Sequence, residues 1–555
     1  MARTLPTNSS NQTLIGSLKT AKGDIAMFTR VALIQPVVPA GKSLGVHKSP
    51  ESIQALAGQL QKLGCEVKMF HATDSNTLYS AIHGFMPRVV CISTMTANFP
   101  EGRKIAQAIK NSKRGRYIKI ILGGWHASGC VKAYESGQEK ESLEEILNPS
   151  SPFDYVVAGE GEKVLPKLIK AIQNNSGIMS LKGVSNFSGG SIQLGGFAPR
   201  VKDLSQLAQP SWDELNVNQY RDKRNDALDL SVHFNRGCRF NCSFCATASI
   251  YGHGVRTTPA QQAFEYIEFL AQKFQPQVIT FTDEDFFANL PWVKQLVRLL
   301  QQADFHHKYG IFFDTFASIV DLNRLFRHNQ MQLLRQMKSV GFNSFTIGIE
   351  SLCIPILKKY NKEQMILSTM LPGQKKLYKE RKESALDGLR LYRHNFSTVQ
   401  RAVNFAHGLG FLVVGDYILG NLEESATDVV FSFRLLEKIR NLMMAYLPVY
   451  TPFPGTALWP EAYTSGWLAR KSDGRIDWEK FDANGGALNL GYDIASLRNQ
   501  LEIEFYTSKR YADDMLAMIE QDSRRKKFFL NRFNYLDRIY PGDPQIIQRL
   551  AYLRG

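Results

Sequence analysis

The chain has 555 residues, which at about 150 residues per domain suggests three or four domains. Hydrophobic residues make up 44% and charged residues 21%, as in ordinary globular protein. No apolar run approaches the ~18–20 residues that span a bilayer, which argues against a membrane-spanning protein. Lys and Arg outnumber Asp and Glu by 67 to 51, a net charge of +16 that suits an anionic partner without naming one.

Residues 1–29 lack a charged-then-apolar leader and read as a polar lead, so secretion is disfavoured and a cytoplasmic protein is expected. From 30 to 175 the chain alternates β-rich runs (31–36, 65–70, 88–94, 117–124 and 154–161) with helical stretches. Between the first two runs Ile53, Leu56, Leu60 and Leu63 share one helical face, with Pro50 at the start and Gly64 at the stop. The alternation predicts an α/β, Rossmann- or flavodoxin-like domain, a parallel sheet covered by helices on both faces. Its ligand is expected at the carboxyl ends of the strands, where strand order reverses. Residues 176–226, rich in Ser, Gly, Asn and Pro, predict a linker with a small hairpin at 185–196.

A second alternating series occupies 227–459, with strand candidates 228–234, 278–283, 309–316, 344–349, 411–419 and 443–450. Six βα units predict a partial barrel whose chemistry lies at the carboxyl-terminal mouth. Residues 359–395 interrupt the rhythm as a basic insertion or a lengthened helix. Residues 460–555 are mostly helical by pattern. Basic residues in 523–555 interleave with Phe528, Phe529, Phe533 and Tyr535, a mixture that an anionic aromatic ligand or nucleic acid would suit. The simpler reading is an amphipathic helix packing its aromatics on the barrel, and nucleic acid is not an expected partner.

The seven cysteines are an odd number in a long chain, a poor disulfide framework that points to a reducing compartment. Cys238, Cys242 and Cys245 form a C-x3-C-x2-C pattern just after the first strand of the second series. Three thiolates so close on one loop suit one metal centre. A [4Fe–4S] cluster normally takes four Cys ligands, so three would leave one iron open to a group from outside the protein. Zinc held by the three Cys with His233 or His253 is the competing reading.

The segment resembles the cluster motif of the radical S-adenosylmethionine (SAM) superfamily, including the aromatic Phe244 before the third Cys. The resemblance implies that SAM chelates the open iron and is cleaved to a 5′-deoxyadenosyl radical, the protein supplying binding, orientation and shielding. Asp283 in FTDEDFF, Glu350 in IGIES and Gly420 in YILGNLEES match strand-end motifs of that family, which with Phe244 makes them SAM-contact candidates. Asn421 and Leu422 depart from the Pro common after the fifth strand. PFPGTALW (452–459) is similar to the closing segment of one branch of the family.

The amino-terminal GGWHAS (123–128) and DYVVAGEGE (154–162) look like the cobalamin-binding domain fused ahead of the barrel in B12-dependent members. This implies cobalamin contacts at Ser93, Thr94, Thr96, Gly123, Gly124, His126, Gly159, Glu160 and Gly161. The D-x-H-x-x-G pattern that supplies a lower His ligand is absent, so base-off cobalamin is expected, with His126 at its tail or edge. Only Cys353 follows Cys245, so one cluster per chain is expected, and Cys353 reads as a small buried thiol.

The implied function is methylation of an unactivated carbon through the 5′-deoxyadenosyl radical and methylcobalamin. Oxidative cyclisation or ring rearrangement by the same machinery is the enzymatic alternative. A cobalamin-binding or sensing protein without catalysis is disfavoured because the motifs are intact. Basic residues at 373–382 and 524–527 would tolerate an anionic small-molecule or peptide substrate. A reductant such as flavodoxin or ferredoxin completes the implied partners.

Overall fold

Two largely parallel sheets contribute their carboxyl-terminal strand ends to one cavity in the computed structural model, which describes residues 29–38, 48–71, 75–174, 181–222, 226–370, 372, 375 and 385–554. The first sheet holds β1 (Arg30–Gln35), β2 (Glu66–His71), β3 (Val89–Ser93), β4 (Lys119–Gly123), β5 (Tyr155–Val157), β6 (Val184–Ser188) and β7 (Ser191–Gln193). Its order is β2-β1-β3-β4-β5-β6-β7, with β1 to β5 parallel. Strand order therefore reverses between β1 and β3. Helix α1 (Glu51–Lys62) leads from β1 out to β2, and α2 (Ser75–Phe85) leads back to β3.

Alternate strand residues feed two separate cores, as the two-residue period of a strand requires. Val31, Leu33, Val89 and Cys91 pack with Ile53, Ala57 and Leu60 of α1. Ala32, Ile34, Val90 and Ile92 pack on the other face with Leu78 and Ile82 of α2 and with α3 (Phe99–Asn111). Leu63, expected on the buried face of α1, is 64% exposed. It follows the last helical residue, and Gly64 at φ +81° turns the chain away before Leu63 reaches the core. The hairpin predicted at 185–196 is β6 and β7. It does not sit in a free linker: β6 pairs antiparallel with β5 and extends the sheet, covering what would otherwise be an open edge.

The second sheet holds β8 (Asp229–Val232), β11 (Val278–Phe281), β12 (Phe312–Ser318), β13 (Phe342–Glu350), β14 (Leu412–Tyr417) and β15 (Met444–Tyr446). All pairs are parallel, in the order β15-β14-β13-β12-β11-β8, an open six-stranded partial barrel. The antiparallel pair β9 (Asn235–Arg236) and β10 (Arg256–Thr257) brackets the Cys loop. Leu230, Ile279, Phe281, Phe313, Phe345 and Val413 are buried in the largest core of the molecule. Asp229 and Thr280, which alternate with them, instead receive Lys48 Nζ at 2.6 and 2.9 Å, so the chain just before α1 is anchored to the barrel strands.

Phe529, Phe533 and Leu536 of the helix Arg525–Ile539 belong to the same core, and Arg532 pairs with Glu502 at 2.9 Å. The aromatic and basic tail is therefore an amphipathic helix on the barrel. Within 359–395 the described part includes the start of a 24-residue helix, Ala385–Gly408, while most of the basic run 375–384 lies outside the described residues, as do residues 1–28. Among the described residues no helix is long and apolar enough to cross a membrane.

Candidate functional site

The strand ends enclose a cavity of about 850 Å³ lined from the first sheet by Gln35, Ser93, Gly123 and Gly159, and from the barrel by His233, Thr282 and Glu284. It sits at the order reversal, where backbone amides and small residues approach a ligand without obstruction. Gly124 (φ +91°) precedes helix α4 (Trp125–Glu135), and a Cβ there would lie 2.5 Å from the Thr94 carbonyl oxygen. Only glycine lets the ends of β3 and β4 close up in this way.

Thr94 Oγ1, Gln54 Nε2, Gln59 Nε2 and Ser231 Oγ are buried without a hydrogen-bond partner among the described residues, and all four residues line the cavity. Buried polar atoms are nearly always satisfied, so these orphans fit a ligand that brings its own donors and acceptors, as the amide-rimmed cobalamin does. Trp125 and Tyr251 meet edge-on at 5.5 Å, with His233 6.1 Å beyond, and form an aromatic wall across the seam between the sheets.

Of the expected cobalamin set, Ser93, Thr94, Gly123, Gly124, Gly159, Glu160 and Gly161 line the cavity; Thr96 and His126 do not. His126 is 1% exposed, stacks on Phe99 at 4.0 Å, meets Trp478 at 4.7 Å and faces Thr96 Oγ1 at 3.3 Å. Burial lowers its pKa to about 3, so it is neutral. One helical step separates it from Trp125, enough to turn it from the cavity into the core. The Glu160 carboxylate is also committed elsewhere. It accepts from the Val201 amide at 2.8 Å and pairs with Arg256 and Arg236.

The second half of the site is the Cys loop. Gly237 (φ +92°) precedes Cys238, and a Cβ on it would strike the Gly254 carbonyl across the hairpin. None of the seven cysteines is in a disulfide. Burial, the Asp285 carboxylate and the neighbouring Cys242 and Cys245 push the Cys238 thiol up to about 12. Burial pushes Cys242 up to about 11, against the attraction of Lys362. Adjacent, desolvated thiols of this kind ionise onto a cationic centre, which is the chemistry of a cluster.

Among the described residues no three His, Cys, Asp or Glu side chains converge as ligands of a single metal ion. His233 is engaged by Glu284, and His253 is exposed.

Phe244 packs edge-on against Tyr360 at 4.9 Å. Asp283 lies away from the cavity, fully buried. Its Oδ1 accepts from the backbone amides of Phe234, at 2.9 Å, and Asn235, and burial raises its pKa to about 7. Its Oδ1 thereby shapes the entry to the Cys loop from the end of β8, while Oδ2 is buried with no partner among the described residues. Glu350, at φ +59°, pairs with Lys362, whose Nζ also donates to the Gly348 carbonyl at 3.0 Å. The space beside Gly420 that a side chain would fill is taken by Ile494 and Leu490.

Several pairings at the site were not among the expectations from sequence. His233 Nε2 lies 3.1 Å from Glu284 Oε2 and 2.8 Å from the Asn235 carbonyl, while Nδ1 is 3.9 Å from Glu51. Burial opposes its charge, but Glu284, Glu51 and Asp283 outweigh that and raise its pKa to about 10. Thr282 Oγ1 donates to Glu51 at 2.8 Å, joining α1 to the barrel. Arg239 holds Asp285 and Asp321, each at 2.7 Å. A Cβ on Gly129 of α4 would collide with the Pro454 carbonyl, so the PGT segment is packed on the amino-terminal sheet's own helix. No local sequence signal marks these pairs, since their partners lie tens to hundreds of residues apart.

The family model for the radical SAM superfamily matches residues 232–436, and that for the B12 binding domain matches residues 41–169. The chain is 23% identical over 430 residues to the uncharacterized methyltransferase PH0819 of Pyrococcus horikoshii, covering 77% of this chain and 80% of the relative. It is 23% identical over 357 residues to the anaerobic magnesium-protoporphyrin IX monomethyl ester cyclase of Cereibacter sphaeroides, covering 61% and 53%. Its fold is similar to that of the cobalamin-dependent SAM radical enzyme OxsB with aqua-cobalamin bound, at a TM-score of 0.62 and 14% identity, covering 95% of this chain and 75% of that one. The chain therefore combines a B12 binding domain with a radical SAM domain, and the cofactors that go with these domains are a [4Fe–4S] cluster, SAM and cobalamin.

Proposed function

We propose that this enzyme methylates an unactivated carbon of a small-molecule or peptide substrate. The observation that carries the reading is the single cavity to which both sheets present their carboxyl-terminal ends. When bound, the cluster and SAM supply hydrogen-abstracting chemistry and cobalamin supplies a transferable methyl group. Holding both against one substrate atom is the positional requirement of such a reaction.

Cys238, Cys242 and Cys245 would hold the cluster, with Phe244, Glu350 and Lys362 around SAM. Ser93, Thr94, Gly123, Gly124, Gly159 and Gly161 would receive cobalamin. Trp125, Tyr251 and Ile250 give the cavity a wall that excludes water. His233 holds its proton between Glu284 and Glu51, so the seam between α1 and the barrel keeps a fixed hydrogen-bond donor beside the reacting space.

The charged groups in the lining are Glu51, Glu160, Glu162, Glu265 and Glu284 with Lys48, Arg236 and His233, and Arg524, Arg525, Lys526 and Lys527 are not among the lining residues. The lining therefore holds no excess of cations that would by itself select an anionic substrate. A one-electron donor such as flavodoxin or ferredoxin completes the scheme. The same reading assigns 30–175 to cobalamin and 227–459 to the cluster and SAM, with 460–555 as a helical buttress.

Anaerobic reconstitution followed by incubation with hydroxocobalamin, SAM and a strong reductant tests the reading. Bound corrin with both 5′-deoxyadenosine and S-adenosylhomocysteine among the products supports methyl transfer. Deoxyadenosine alone moves the assignment to oxidative cyclisation, the activity named for the Cereibacter relative. Iron without corrin overturns the proposal.

A further inference from the structure

The loop after β5 and the hairpin that carries the Cys loop are joined by four charged side chains. Arg236 Nη2 donates to Glu162 Oε1 at 2.5 Å, and Arg236 Nη1 lies 3.6 Å from Glu160 Oε2. Arg256, directly across the hairpin from Arg236, donates to Glu160 Oε2 at 3.0 Å and to the Val201 carbonyl at 2.6 Å. The side chains are nearly dry: Glu160 is 1% exposed, Glu162 8% and Arg236 13%. Pairs this buried are weakly screened by water and salt, so their geometry is held tightly.

Glu160 and Glu162 alternate with Gly159 and Gly161, which face the cavity, and Arg236 is two residues from Cys238. The Gly-Glu-Gly-Glu segment thus serves two purposes: its glycines lie open to the cavity, while its carboxylates grip the hairpin of the Cys loop.

The geometry points to Arg236 as a positioning residue that couples the two cofactor loops, so that loading one site tightens the other. The inference rests on the assignment of the Cys loop to the cluster and of Gly159 and Gly161 to cobalamin. Neither loop can shift without straining the four-charge network, and a shift removed by one ligand no longer has to be suppressed by the second. Coupling of this sort is reciprocal: the cluster must tighten corrin binding by the factor by which corrin tightens the binding of the cluster at equilibrium.

The test measures the dissociation constant of hydroxocobalamin, by absorbance titration, on full-length protein with and without its reconstituted cluster. The ratio of the two constants reports the coupling. In wild type a ratio of about ten is expected, within the ordinary range for coupled sites. In R236M and E162Q it falls to about one, and R236K restores part of it. The E162Q/R236M double variant matches the single variants, as expected for partners in one interaction.

A residue that merely stabilised the fold would weaken both constants together and leave the ratio intact. A ratio near one in wild type, or a wild-type ratio in R236M and E162Q, overturns the inference. If R236M does not fold, judged by its circular dichroism, E162Q and R236K still decide the matter. Wild-type protein that takes up no iron or no corrin defeats the underlying site assignment instead, an outcome distinct from loss of coupling.

Discussion

The carboxyl-terminal edges of the two sheets receive ligands in opposite ways. The first sheet presents glycines and short neutral side chains at Ser93, Thr94, Gly123, Gly124 and Gly159, so a ligand meets backbone and the unsatisfied Thr94 hydroxyl. The barrel presents thiols and ion pairs: Cys238, Cys242, Cys245, His233 with Glu284, and Glu350 with Lys362. A large cofactor held over much of its surface needs space and close approach, whereas a cluster needs particular donor atoms. Damage should therefore act through shape on one side and through chemistry on the other.

The largest effect falls on the chemical side. Replacing Cys238, Cys242 and Cys245 together with Ala should abolish bound iron and SAM cleavage while hydroxocobalamin is still taken up, measured by iron analysis and corrin absorbance. Joint loss of both cofactors would show that the two edges are not separable. Next, Lys362→Met leaves the buried Glu350 carboxylate unpaired and should cost about 3–5 kcal/mol in urea unfolding. A change below about 1 kcal/mol, the usual worth of an exposed pair, would mean that water reaches Glu350.

On the side governed by shape, Gly124→Val forces a branched residue to φ +91° against the Thr94 backbone. Roughly 1–3 kcal/mol of strain is expected, with weakened corrin binding and an intact cluster. Undiminished corrin uptake would move the cofactor away from β4.

The pH response divides the edges again, since both strongly raised groups named here belong to the barrel. The stability that charged His233 contributes is complete below its unfolded pKa of about 6.5 and is lost as pH rises through about 10. Asp283, an acid raised by burial to about 7, likewise favours the fold below its unfolded pKa of about 3.8 and ceases to do so as pH rises through 7. Melting temperature should fall in two stages, from about pH 4 to 7 through Asp283 and from about pH 6.5 to 10 through His233, and H233Q should flatten the second; an unchanged alkaline slope would place that sensitivity elsewhere. The smallest effect belongs to Leu63→Gln, within about 0.5 kcal/mol despite the apolar pattern around it.

Much of the fold was legible because strands and helices are local patterns. The six barrel strands and the five parallel strands of the first sheet lie where β-rich runs alternate with helical ones, and Cys238, Cys242 and Cys245 stand out by spacing alone. The misses share a cause. Leu63 fits the helical period yet falls beyond the last helical residue, and His126 sits in a glycine-rich motif yet turns inward by one helical step. In each case a neighbour distant in sequence, or the angle of one turn, decides what the side chain meets.

The two α/β series, the close spacing of three cysteines on one loop and the glycines that permit close backbone approach are all readable from the chain alone, since they depend on periodicity, spacing and the absence of a Cβ. Only the tertiary structure decided that Glu160 and Glu162 grip Arg256 and Arg236, that His233 is a cation held between Glu51 and Glu284, and that both strand edges open on one cavity. Charge pairing depends on distance and on the exclusion of water, and neither exists until the two sheets have closed on each other.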